Sequence, residues 1–375
     1  MNTPYGGKLV NRFSHNSEEY RGDLIESPFI DFYLDSIKIA EGAYSPLEGF
    51  NGTNDIDTII NHGNLPNGLP WTIPIIFTIN EGVWKKISAG DDLFLRKPDG
   101  EIYGYLNVEE KYLLNKKEMA LKVYGTLDES HPNVYDIIHN YTEYGVSGKL
   151  YLFKDVKHEN FGEFNPSEVR NMIKERNWKG IAAYQARNPP HVAHEYLQKI
   201  ALEMPDVDGL FIHIVVGRLK KGDYKPNVII QAYKRLIENY HKPEKVIFSP
   251  LNITMRYGGP KAALFLAIIR RNYGATHYIV GRDQAGVGKY YDPYAAHQIF
   301  DKFDIGMKAL KFTETFYCKK CNGITSDKVC PHGNDHRLII SQTKIREMLI
   351  KKEKIPSEII RPEVAEVLYG DDVLL

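Results

Sequence analysis

Beyond Asn165 the chain repeats one pattern: a short apolar run, a polar turn, then a segment with helical apolar spacing. Strands are expected at 180–184, 209–216, 245–250 and 276–280, and helices at 192–203, 227–240, 260–272 and 293–303. Such βαβα order folds as a doubly wound parallel sheet with right-handed crossovers. Asn165, Pro166 and Glu168 open the first helix of this region as cap, first-turn proline and capping-box partner. In sheets of this kind ligands bind beyond the carboxyl ends of the strands. Three polar loops should therefore share one rim: 185–194, 217–223 and 281–288, the last two bearing glycine.

The first of these loops reads Gln185-Ala186-Arg187-Asn188-Pro189-Pro190-His191-Val192-Ala193-His194. The two histidines stand three apart at a helix start and so share one face. A helix start leaves unpaired N–H groups and a partial positive charge, both of which favour anions. Asn-Pro-Pro alone would be ordinary turn chemistry. The same turn also carries Gln185, Arg187 and Asn188, and together these groups form a site for phosphate-like ligands.

Residues 1–164 have a different rhythm and read as a mixed β domain. Residues 71–77 look like a strand with an edge-type proline. Lys97-Pro98-Asp99-Gly100 is a hairpin turn between 93–96 and 102–106, and alternation continues at 119–124 and 149–153. A polar stretch, 157–164, forms the link. The second domain is expected to span 165–312, and a C-terminal segment of two short helices to close the chain, 313–375.

Composition narrows the function. A chain of 375 residues is long enough for two or three cores. Its formal net charge of +0 argues against nucleic acid, so its 25 tyrosines read as packing residues rather than a base-stacking platform. No apolar run reaches the ~18–20 residues of a membrane span, and the start lacks the form of a signal peptide. A cytoplasmic protein with no membrane partner is expected. All three cysteines lie in one segment, which is no disulfide framework. Cys318-x-x-Cys321 with Cys330 has the spacing of a structural zinc site. Of the nearby histidines, His332 sits two residues from Cys330, where bending back is strained, so His336 is the expected fourth ligand.

The helix-start segment resembles the Gln-x-Arg-Asn-Pro-x-His-x-x-His signature of the ATP sulfurylase (sulfate adenylyltransferase) family, within the nucleotidyltransferase superfamily. Gly281-Arg282-Asp283-Gln284-Ala285-Gly286 is similar to a second family motif. Weaker matches run through 6–10, 42–50, 255–260 and Ser341-Gln342-Thr343-Lys344-Ile345-Arg346. The likeness extends to zinc-bearing prokaryotic members.

This resemblance implies a PUA-like N-terminal domain and transfer of adenylyl from ATP to sulfate in sulfate assimilation or sulfur metabolism. It implies Mg²⁺ with the nucleotide, structural Zn²⁺ and a homodimer. It assigns sulfate to Gln185, Arg187 and the Ala285 N–H. The nucleotide falls to Arg187, Asn188, His191, His194, Gly281, Arg282, Asp283 and Gln284, with Arg187, Asn188, His191 and His194 catalytic. Lys220, Lys221 and Arg256 are secondary anion-binding candidates. No segment fits G-x-x-x-x-G-K-[ST], so neither a P-loop kinase nor a fused adenylylsulfate kinase domain is expected. Ala186 stands where Thr is common, and Gln284 where His is common. The resemblance leaves two other readings: an adenylyltransferase with a phosphorylated or carboxylated acceptor, and an inactive zinc-ribbon binding protein.

Overall fold

The computed structural model describes residues 1–19, 22–218, 222–338, 340–370 and 372–375. Its N-terminal sheet contains β1 (Ile25–Glu26), β2 (Gly49–Phe50), β3 (Asp92–Arg96), β4 (Ile102–Leu113) and β5 (Tyr144–Leu152), in the order β1-β3-β4-β5-β2. The expected hairpin forms: β3 and β4 are antiparallel, and the Gly100 N–H donates to the Lys97 carbonyl at 3.0 Å.

Two expected strands here do not form. Residues 71–77 are buried but irregular; Pro74 has no N–H to give a ladder, and single bonds tie the run down, as from the Val146 N–H to the Phe77 carbonyl at 3.0 Å. Residues 119–124 belong to the helix Lys116–Tyr124. Asn115 caps its start by accepting from the Glu118 N–H, and Gly125, at φ 73°, ends it in the left-handed conformation. Both caps outweigh the alternation of Met119-Ala120-Leu121-Lys122-Val123-Tyr124.

The second sheet is the expected parallel one. It holds β6 (Ile181–Ala186), β7 (Gly209–Val215), β8 (Val246–Leu251), β9 (His277–Val280) and an unanticipated edge strand, β10 (Lys308–Lys311). The order is β10-β9-β6-β7-β8, so the chain builds outward from β6 and then returns to its other side. That reversal lies between β6 and β9, the position where doubly wound sheets bind ligands. β6 pairs with β9 at only two positions, Ala182 with His277 and Ala183 with Tyr278. Beyond them the strand ends diverge and a cleft opens. Every residue of β6, β7 and β9 is buried, as strands covered on both faces require. The capping box at Asn165 and Glu168 is present on the helix Pro166–Glu175.

The N-terminal region braces this rim with buried carboxylates. Arg218, which follows β7, donates to Asp31 at 2.9 Å and to both oxygens of Asp136 at 2.9 Å. Asp31 also accepts from Thr254 and Tyr141, each at 2.7 Å. Arg256 is 6% exposed and paired with Asp35. It is therefore an internal brace, not the anion-binding residue the sequence suggested. Lys220 and Lys221 lie outside the described residues.

A third, antiparallel sheet contains β11 (Thr315–Cys318), β12 (Gly323–Ser326) and β13 (Arg337–Leu338). The helices Gln342–Ile350 and Pro362–Leu368 follow, the latter packed on Pro226–Tyr240. Among the described residues no helix is long and apolar enough to cross a membrane.

Candidate active site

Gln185, Arg187, Asn188, His191, His194, Gly281, Arg282, Asp283, Gln284 and Ala285 all line one cavity of about 290 Å³ at the diverging ends of β6 and β9. A second cavity of about 530 Å³ adjoins it across Arg187, Asn188, His191 and Asp283. Together they have the size of a small-molecule site.

β6 carries Gln185 to its carboxyl end, and the Asn-Pro-Pro turn then delivers His191 as cap of the helix Val192–Leu202. His191 Nδ1 accepts the His194 N–H at 3.3 Å. A neutral His191 must then hold its proton on Nε2, which makes it a donor. The two rings stack with centroids 3.5 Å apart. Burial, aided by His194, holds His191 well below the usual histidine range, and burial takes His194 down to about 4. Both are uncharged at neutral pH. As neutral rings they can offer the cleft N–H groups but no positive charge. The helix start is partly used up: the Val192 N–H donates to the Ile359 carbonyl at 3.0 Å. The Ala193 N–H has no partner among the described residues.

The Arg187 guanidinium lies over the Tyr257 ring at 4.7 Å and donates to the Gly286 carbonyl at 3.4 Å. Stacking fixes its plane and leaves its remaining N–H edge for an anion. Asn188 Oδ1 accepts from Arg346 at 2.9 Å, so the donor end of that amide is not needed there.

In the second loop Asp283 and Ala285 both adopt positive φ, 54° and 57°. Non-glycine residues in this region store strain, which is common at ligand-binding loops. The Gly259 N–H holds the Ala285 carbonyl at 3.1 Å, while the Ala285 N–H has no partner among the described residues. Arg282 is paired with Glu314 at 2.6 Å and with Asp283 at 3.4 Å. Gln284 lines both cavities. Its Nε2 donates to Gln185 Oε1 at 2.8 Å and to the Tyr278 hydroxyl at 3.3 Å, so both side-chain hydrogens meet protein.

Arg346, quoted in the sequence motif but given no role there, is a site residue. It reaches Asn188 and Asp223, each at 2.9 Å, and lines the larger cavity. Gln342 donates to the Pro189 carbonyl at 3.2 Å. The sequence signal was the motif's polar character on a capped helix start, at Ser341; its target 158 residues away was not legible.

The cysteine segment forms a cluster, with one correction. Cys318, Cys321, Cys330 and His332 bring their ligand atoms within 4.8 Å of one another, a set that could hold a metal ion. His332 Nδ1 lies 3.4, 3.2 and 3.8 Å from the three sulfurs in that order. His336 stands outside the set and pairs with Asp335 at 3.2 Å. The short Cys330-x-His332 spacing is tolerated because the ring nitrogen nearer the backbone faces the sulfurs.

A family model described as ATP-sulfurylase matches residues 162–370, and one described as a PUA-like domain matches 2–155. A sulfate adenylyltransferase from Pyrococcus abyssi is 40% identical over 381 residues, covering 99% of this chain and 98% of its own. One from Staphylothermus marinus is 44% identical over 377 residues, covering 98% and 97%. Among solved structures, a hexameric APS kinase from Thiobacillus denitrificans superposes with a TM-score of 0.77 at 21% identity, over 98% of this chain and 68% of that one. At that identity the likeness is one of fold.

Proposed function

The chain belongs to the ATP-sulfurylase family, and on that premise we propose that it transfers adenylyl from ATP to sulfate in sulfur metabolism, including assimilation. A sulfate oxygen attacks the α-phosphorus, the α–β phosphoanhydride bond breaks, and adenosine 5′-phosphosulfate and pyrophosphate form reversibly. One observation carries the reading: ten residues from two loops 87 or more positions apart at their nearest, His194 and Gly281, line a single cleft.

Sulfate is fully ionised at neutral pH and only accepts hydrogen bonds, so its site must consist of donors. Gln185, Arg187 and the Ala285 N–H meet that condition. Sulfate is also strongly hydrated and a weak nucleophile, so the main task is to strip water and aim it in line. Arg187 can grip two oxygens in parallel, which a lysine cannot. Asn188, His191 and His194 take the phosphates, where charge grows in the transition state. Uncharged imidazoles suit this role because they donate without binding pyrophosphate too tightly to release it. Gly281, Arg282, Asp283 and the Gln284 backbone hold the nucleotide. Oxygen donors at Asp283 and Asp292 on the larger cavity fit the water shell of Mg²⁺, which supplies countercharge to the triphosphate when bound.

In this reading residues 165–312 carry the chemistry. Residues 1–164 brace the rim through Asp31, Asp35 and Asp136, and residues 313–375 complete the larger cavity through Arg346. The Cys₃His set takes zinc. A tetrahedron with Zn–S near 2.3 Å has S···S edges of roughly 3.8 Å, and Cys321 and Cys330 stand 3.8 Å apart.

The test is pyrophosphate release by the purified protein. Release should require ATP, Mg²⁺ and sulfate together, and molybdate should replace sulfate as a decoy that yields AMP. Release that ignores sulfate and molybdate would overturn the reading.

A further inference from the structure

We infer that Gln284 is a positioning residue that selects which end of the Gln185 amide faces the bound oxyanion, and thereby tunes the site against anions that carry a proton. The inference rests on the sulfate-site reading given above. Gln185 emerges at the carboxyl end of β6, and Gln284 follows β9, so the pair spans the gap where the two strands diverge. A glutamine amide has two unlike ends, an oxygen that accepts and a nitrogen that donates. Rotated by half a turn it fills the same space with the opposite polarity. Packing alone therefore cannot choose between the two orientations; a hydrogen-bond partner must.

Gln284 supplies that partner. One of its amide hydrogens points at Gln185 Oε1 over 2.8 Å, and the other is taken by the Tyr278 hydroxyl at 3.3 Å. Tyr278 is fully buried on β9, at the last position where β9 pairs with β6, and with its hydroxyl accepting, the Gln284 nitrogen is the end turned toward Gln185. Reversing Gln185 alone would set its N–H groups against those of Gln284 and leave donors facing donors. The Gln185 oxygen is thus held inward, and its Nε2, which has no protein partner among the described residues, is the end left for the cavity. A fully ionised tetrahedral anion accepts from it. Hydrogen phosphate, which must place its own O–H somewhere, finds one more donor and no acceptor at this position.

Three substitutions separate this role from simple space filling. Gln284→Met keeps the volume and removes the donors. Gln284→Glu replaces donors by acceptors and should turn the Gln185 amide around. Gln284→His restores one donor. The measurements are KM for sulfate, KM for ATP and inhibition by inorganic phosphate, on full-length protein whose fold is checked by thermal melting. Sulfate KM should rise about 10-fold in Gln284→Met and more in Gln284→Glu, in keeping with loss of a hydrogen bond to a charged group. ATP KM should stay within about two-fold. The ratio of phosphate Ki to sulfate KM should fall in both variants, and Gln284→His should recover most of the parent values. Parent-like sulfate KM and phosphate Ki in folded Gln284→Met would overturn the inference, as would equal rises in both KM values. If Gln284→Met does not fold, Gln284→Glu decides by the same two readouts, and Gln284→His with a Met-like loss would also count against it. Wild-type protein that shows no sulfate dependence would instead remove the reading on which the inference stands.

Discussion

The Cys/His cluster takes its four side chains from positions no more than 14 apart in the chain, whereas the cleft fixes Asn188 with an arginine 158 residues away. Cys318 ends β11, Cys321 lies in the turn to β12, and Cys330 and His332 share the segment between β12 and β13, so these strands form a small frame. In the cleft, local sequence supplies the chemical groups, and distant sequence sets their direction. Gly286 and Tyr257 orient Arg187, Arg346 orients Asn188, and Gln284 orients Gln185. A cluster of the first kind fails when a ligand is lost. A cleft of the second kind also fails when a supporting residue is exchanged for one of the same charge.

The largest effect should come from Arg187→Lys, which retains charge but loses the planar fork and the stack on Tyr257. Turnover should drop of order 10²-fold or more, as when a preorganised oxyanion donor is removed, with the melting temperature little changed. Parent-like turnover in the folded variant would show that charge alone suffices, and the contrast with the cluster would collapse.

The cluster gives the next test. His332→Ala should release zinc at lower chelator concentration and lower the melting temperature by about 5 °C or more, while His336→Ala should keep about one zinc per chain. Metal content followed during chelator titration checks both. Equal metal loss in the two variants would mean that the ligand set extends beyond the four gathered side chains.

The smallest effect concerns acid. His194 is held at about 4 in the folded chain by burial, against 6.5 for an ordinary histidine. Between those values the unfolded chain binds the extra proton, so stability is complete above about pH 6.5 and falls as pH drops toward 4. His194→Gln removes this term. Its loss of melting temperature between pH 7 and 5 should be smaller than the parent's, by roughly 2–4 °C. Equal losses would mean that acid reaches the cleft through another group.

These contrasts follow what the sequence could disclose. The parallel sheet was legible because each strand and helix carries its own period, and the switch-point cleft followed from loop order. The Lys116–Tyr124 helix was missed although its caps, Asn115 and Gly125, were present. Six alternating residues mimic a strand, whereas end signals decide so short an element. The fourth cluster ligand is His332 rather than His336 because the short Cys330-x-His332 spacing closes when Nδ1 turns to the sulfurs, and spacing does not encode which ring nitrogen turns. Arg346 and the Gln284–Gln185 pair depend on contacts between segments far apart in the chain. No local pattern records such contacts.

The carboxylates that hold Arg218 and Arg256 have a consequence for anyone who would treat this protein as modular. Asp31, Asp35 and Asp136 belong to the N-terminal half, yet they neutralise guanidinium groups rooted in the loops of the parallel sheet. Excising that sheet would strip both arginines of their acid partners and expose Arg256, which is otherwise buried. Breaking a buried pair from one side typically costs about 3–5 kcal/mol. A chimaera that joined the sheet to a foreign partner would need to transplant these three acids along with it, so the unit of exchange is the charge-matched pair of halves.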